Sequence, residues 1–179
     1  SVCRSRGAQV WMQLGHPGRQ MLAGMGGSAC APSAIALQLP ETGMEFATPR
    51  AMTEAEICEV VASFARSALL AERAGFDGVQ IDAGHGHLLS QFLSPLSNQR
   101  DDAWGGCLTN RARLLLESVQ AVRRQVRPDF CVSVKLNCSD FIAGGFDSDE
   151  AAQVINMLNP LGVDLLEITG GTYASPAMF

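Results

Sequence analysis

The stretch VQIDAGHGHLLSQF brings Asp82, His85 and His87 within six residues, directly after the apolar run of Phe76, Val79 and Ile81. A carboxylate beside two imidazoles is suited to moving protons, because histidine titrates near neutrality and a neighbouring acid can orient its ring. The same three groups with a water would also suit a catalytic zinc ion, although their spacing follows no common metal motif. Polar residues close other apolar runs too: Gln13 in AQVWMQL and His16 just after it, Lys135 and Asn137 in FCVSVKLN, and Thr169 in GVDLLEIT. An ammonium at the end of an apolar strand is costly to bury alone. Lys135 therefore requires an anionic partner, from the protein or from a ligand.

The elements that must position these residues alternate in type. AQVWMQL (8–14) has strand composition and stops at the Gly/Pro break GHPGRQ. Residues 21–50, rich in Gly, Ala, Ser and Pro, read as one long loop, and a loop of that length inside a domain is usually functional or disordered. Thr53 and Glu56 form a capping box opening a helix with Ile57, Val60, Val61, Phe64 and Ala68 on one face, and Gly75 ends it. A strand at 76–82, a loop, a helix at 109–126, a strand at 130–137, a helix at about 148–158 and a strand at 162–171 follow. Strands dense in Val, Ile and Leu that alternate with helices predict an α/β fold, a parallel sheet covered by helices.

Two such folds compete. A doubly wound sheet would carry G-x-G-x-x-G after its first strand, and QLGHPGRQ does not. Polar residues at the C-terminal ends of several strands are instead the habit of a (β/α)8 TIM barrel. That fold takes about 250 residues. The four strands here thus predict roughly its central half, with residues 1–179 forming part of one barrel domain.

Composition narrows the function. A net charge of −5 excludes the basic footprint of a nucleic-acid binder. No apolar run approaches the roughly 18 residues of a membrane span, and SVCRSRGAQV lacks the apolar core of a secretory signal. A cytoplasmic location is the expectation, with neither nucleic acid nor membrane as partner. Cys3, Cys30, Cys58, Cys107, Cys131 and Cys138 include no C-x-x-C pair, which fits reduced thiols.

Several separated motifs share one source. QLGHPGRQ, TPRAMTEAEI, GFDGVQIDAGHGHLLSQFLSPLSNQRDDAWGGCLTNRARLLLE, VSVKLN and VDLLEITGGTY resemble, in order, segments of the old yellow enzyme family of FMN-dependent NAD(P)H:flavin oxidoreductases and ene-reductases. The resemblance covers almost the whole chain and implies strands 3 to 6 of the barrel, with the phosphate-binding strands outside this sequence. It implies FMN as cofactor, NADH or NADPH as reductant, and a small-molecule acceptor that is an electron-poor alkene or a related compound. The oligomeric state stays open, a homo-oligomer included. By the resemblance, Gln13 hydrogen-bonds the pyrimidine edge of the flavin, and Lys135 stands near flavin N1 and O2, where a cation stabilises the anionic reduced form.

The opening stretch departs from the family. There the pattern is His, two small residues, His or Asn, Gly, Tyr; here it is Asp82, Ala83, Gly84, His85, Gly86, His87. In the family the two donors hold the acceptor's carbonyl oxygen and the tyrosine protonates the carbon alpha to it. Only His85 matches directly. An ionised Asp82 cannot donate a hydrogen bond, and His87 stands in the place of the proton donor. The implied catalytic set is His85, His87 and Asp82, with a changed acceptor. An anion about 4 Å from Asp82 would cost on the order of 4 kcal/mol at an effective dielectric of about 20, unless His85 or His87 neutralises the carboxylate. Two other readings stand beside this one: a metal-dependent barrel enzyme using Asp82, His85 and His87, and a non-catalytic flavin-binding barrel. Trp104 occupies a position where the family has tyrosine, and its indole N–H is expected to find a partner.

Overall fold

Side-chain alternation in the strands decides the layering. The computed structural model describes residues 2–39 and 43–175. In chain order the elements are β1 (Trp11–Leu14), β2 (Cys30–Ala31), β3 (Arg50–Ala51), α1 (Glu54–Arg73), β4 (Gly78–Ala83), α2 (Leu88–Leu93), α3 (Leu108–Gln125), β5 (Cys131–Asn137), α4 (Ser148–Leu158) and β6 (Leu165–Thr169). Strands β1, β4, β5 and β6 form one sheet in that order, every pair parallel. Val79, Ile81, Val132, Val134 and Leu136 are fully buried in one core with Ile57, Phe64 and Ala68 of α1, Leu114, Leu115 and Val119 of α3, and Val154 of α4. Fully burying a side chain of this size stabilises by roughly 1.5–3 kcal/mol, so the helix-facing row of each strand has one favourable direction.

The helices begin where short polar side chains satisfy their free N–H groups. Thr53 N donates to Glu56 Oε2 at 2.9 Å and Glu56 N donates to Thr53 Oγ1 at 3.3 Å, the reciprocal box expected from the sequence. Asp147 Oδ1 accepts from Asp149 N and Glu150 N at 3.1 and 2.9 Å and opens α4.

Two parts differ from the sequence expectation. The segment after β4 is not all loop: Leu88–Leu93 form α2, every residue of it buried, a helix too short and too evenly buried to be read from a 3.6 period. The stretch 21–50 contains β2, which pairs in parallel with β3; residues 40–42 of it lie outside the described residues. No helix among the described residues is long and apolar enough to cross a membrane.

The sheet is an arc of a TIM barrel. Among the described residues, β1 and β6 each keep one edge without a partner strand, and on β6 Leu165 and Ile168 are 46% and 51% exposed. Open parallel edges with apolar side chains invite association. Produced by itself, the 179-residue segment should self-associate and carry far less than one FMN per chain, measured by light scattering and flavin absorbance. A monodisperse monomer with stoichiometric FMN would overturn this expectation.

Candidate active site

Two turns at the C-terminal edge of the sheet are locked together by one buried amide. Gln91, at 1% exposure, donates from Nε2 to Pro17 O at 3.0 Å and Gly86 O at 2.7 Å, while its Oε1 accepts from Arg19 N at 3.1 Å. Leu88 N also donates to His16 O at 2.9 Å. The turn after β1 and the turn after β4 thus form one unit. Gly18 has φ +59° and a Cβ there would meet the Gln91 side chain at 2.2 Å, so only glycine fits the junction. His16 serves this scaffold: its Nδ1 accepts from Gly18 N at 3.0 Å, and burial lowers its pKa.

Asp82, His85 and His87 come together as the sequence suggests, in distinct roles. Asp82 is 5% exposed. Its Oδ1 accepts from Gly84 N at 3.0 Å, and its Oδ2 lies 2.8 Å from His87 Nδ1, an ion-pair contact rather than an aligned hydrogen bond. Burial pushes the Asp82 carboxyl up, but the His87 ring, the Gly84 N–H and the charges of both histidines together hold it below its ordinary value. Asp82 is therefore the ionised, acceptor-only group anticipated, with an imidazole beside it. His85 adopts φ +54°, a left-handed conformation uncommon for a residue with a Cβ. Gln20 Nε2 holds its carbonyl at 2.9 Å, and its Nε2 lies 3.1 Å from Thr169 Oγ1 at the end of β6. Burial is the main cause of its lowered pKa, followed by the opposing pull of Asp82. His85 Nδ1 is buried without a hydrogen-bond partner among the described residues.

Gln13 and Lys135 meet in a chain of polar side chains on the sheet face away from the helices. Gln13 Nε2 donates to Gln80 Oε1 at 2.9 Å, Gln80 Nε2 donates to Glu167 Oε2 at 2.7 Å, and Glu167 Oε1 lies 3.1 Å from Lys135 Nζ. The register explains it: Gln13 pairs with Gln80, and Asp82, Lys135 and Glu167 form one row. Gln80 and Glu167 were not singled out in the sequence, although a polar residue at an alternate position of an apolar strand, in GVQID and LLEIT, was the available signal. Tyr173, the last residue of VDLLEITGGTY, was assigned no role in the sequence. Its ring stands edge-on to His87 at 6.3 Å between centroids, and Phe46 stands 6.4 Å from it on the other side.

The donor set suits the polar edge of a planar heterocycle. An amide and an ammonium lie on one face of the sheet, and His85 Nδ1 is a ring nitrogen without a hydrogen-bond partner among the described residues. Gln13 and Lys135 would hold such a ring. The metal reading loses its ligand set: His85 turns to Thr169, His87 to Asp82, and no group of three His, Cys, Asp or Glu side chains among the described residues converges on a point where an ion could sit.

The segment SNQRDDAWGG braces α2. Asn98 Nδ2 donates to Phe92 O and Trp104 O, both at 2.8 Å, and Arg111 donates to Leu93 O while pairing with Glu150. The expectation for Trp104 is not met: its Nε1 is buried without a partner among the described residues, and the ring instead carries the Arg113 guanidinium 5.9 Å from its centroid. The π face offsets what the N–H lacks.

Known proteins resemble this chain in sequence and in fold. The chain is 42% identical over 191 residues to the NADH-dependent flavin oxidoreductase iliE of Neonectria sp. (strain DH2), an alignment covering all of this chain and 25% of that protein. It is 40% identical over 173 residues to the NADH-dependent flavin oxidoreductase nadA of Aspergillus parasiticus, covering 97% of this chain and 39% of that protein. The chain thus spans less than half the length of these curated relatives. A structure of 2-naphthoyl-CoA reductase with 2-naphthoyl-CoA superposes with a TM-score of 0.85 at 30% identity, covering 95% of this chain and 27% of that one. Residues 2–177 match the model of one family over nearly their whole extent, and on that match and these relatives the chain belongs to the NADH:flavin oxidoreductase / NADH oxidase family.

Proposed function

We propose that this protein is an FMN-dependent NAD(P)H oxidoreductase acting in the cytoplasm on a small-molecule acceptor, an electron-poor alkene or a related compound. Residues 1–179 contribute part of its barrel domain. The observation that carries this reading is the joining of Gln13 and Lys135, from separate motifs, in one polar chain on a single sheet face. When bound, FMN supplies hydride transfer from nicotinamide to the acceptor. Lys135, fixed in place by Glu167 at 3.1 Å, presents a preorganised cation where negative charge develops, and such charge needs no reorganisation during reaction.

The acceptor end is built by the two histidines. In the tautomer that carries its proton on Nδ1, the nitrogen without a hydrogen-bond partner among the described residues, His85 Nε2 accepts from the Thr169 hydroxyl. A neutral imidazole held there by burial donates a hydrogen bond to an acceptor's carbonyl oxygen. Asp82 takes the Nδ1 side of His87, leaving Nε2 to deliver a proton to carbon. Histidine in place of tyrosine is the stronger acid, so less basic carbon centres come within reach.

Lys135→Met in the FMN-loaded protein should lower the flavin reduction potential and slow reduction by nicotinamide, read by spectroelectrochemistry and stopped-flow absorbance. An unchanged potential would leave Lys135 as a structural partner of Glu167. His87→Ala should slow reduction of the acceptor by about a hundred-fold, the usual scale of a general acid, and leave reduction by nicotinamide alone; equal loss in both half-reactions would remove His87 from the acceptor end. Asp82→His should strengthen binding of a phenol, seen as a long-wavelength charge-transfer band. Phenol affinity equal to that of the native protein would sink the changed-acceptor reading.

A further inference from the structure

The polar chain on the inner face has a direction, and one residue sets it. An ionised carboxylate only accepts hydrogen bonds, and Glu167 is the one such group in the chain; its pKa is held down first by the Gln80 hydrogen bond and then by Lys135. Gln80 must therefore turn its NH2 group toward Glu167, at 2.7 Å. Its carbonyl oxygen then faces Gln13 and can only accept, which it does from Gln13 Nε2 at 2.9 Å. Gln13 is left with its oxygen and one N–H free. An acceptor beside a donor is the pattern that pairs with a ring N–H flanked by a carbonyl. Reversal of the relay would leave Gln13 with two free N–H groups and its oxygen engaged, and a ring N–H would then face a donor.

The lattice of the sheet makes this reach specific. Ser133 is the register partner of Gln80 on β5, and its hydroxyl turns to Val79 O at 3.3 Å. Gln80 therefore crosses over a small side chain to β6. Glu167 sits in register with Lys135, so the same carboxylate that orients the amides also offsets the ammonium charge.

We infer that Glu167 is a positioning residue for the cofactor: through Gln80 it fixes which edge of the Gln13 amide is presented, and directly it sets how much of the Lys135 charge the flavin feels. The inference rests on the reading of Gln13 and Lys135 as flavin-holding groups. It assigns the amide orientation to a residue that reaches Gln13 only by way of Gln80.

The test uses the FMN-loaded protein and two variants with circular dichroism to verify folding. Glu167→Gln replaces an acceptor by a group that also donates and removes the charge beside Lys135; it should weaken FMN binding about ten-fold, the worth of one net hydrogen bond, and raise the reduction potential. Gln80→Leu cuts the relay and spares the Lys135–Glu167 pair, so it should weaken FMN binding to a similar extent with the potential unmoved. If both folded variants keep native FMN affinity and Glu167→Gln keeps the native potential, Glu167 is only a strand-edge ion pair and the inference is overturned. A native protein that carries no flavin at all would instead overturn the underlying reading, and the inference with it.

Discussion

Parallel strands show alternate side chains to opposite faces, and everything at this site depends on that parity being kept in step across four strands. Val79 and Ile81 on β4 and Val132, Val134 and Leu136 on β5 point into the core beneath the helices. Gln80, Asp82 and Lys135, one position out of phase, are thereby turned to the other face. A slip of one residue on β5 would drive the Lys135 ammonium into the apolar layer, at a cost of several kcal/mol for an unpaired ion. Burial of the aliphatic row and placement of the polar row are thus one constraint seen from two sides.

A second set of contacts holds the turns that follow the strands. The Gln91 amide reaches Pro17, Arg19 and Gly86, and Gln20 holds the His85 carbonyl. These bonds are made inside the protein, where an unsatisfied amide is expensive, so each also penalises any other arrangement of the turns. His85 keeps its left-handed backbone within this frame. Strain of that kind persists where surrounding bonds over-determine it.

The two ends of the site differ in how far they keep to the family. On the proposed reading, the amide and ammonium end retains the residue types of the old yellow enzyme pattern, whereas at the acceptor end Asp82 and His87 replace a donor and a phenol. The replacements are matched to one another. A buried carboxylate alone would be costly, and the His87 ring 2.8 Å away with the Gly84 N–H keeps Asp82 ionised. The pair behaves as a unit in which each change makes the other tolerable.

The sequence by itself determined the architecture and which residues make up the candidate site. Helix α1 was legible from Thr53, Glu56 and the spacing of Ile57, Phe64 and Ala68, because capping and periodicity are local properties. Asp82, His85, His87, Gln13 and Lys135 were legible because each ends an apolar run. Tertiary structure decided what these residues bond to. That His87 belongs to Asp82 while His85 belongs to Thr169, on a strand more than eighty residues further along the chain, follows from sheet order and register, which no local pattern encodes. The same holds for Gln80 and Glu167, whose partnership is a diagonal across three strands, and for the short helix α2, whose burial on all sides erases the periodicity by which a helix is read.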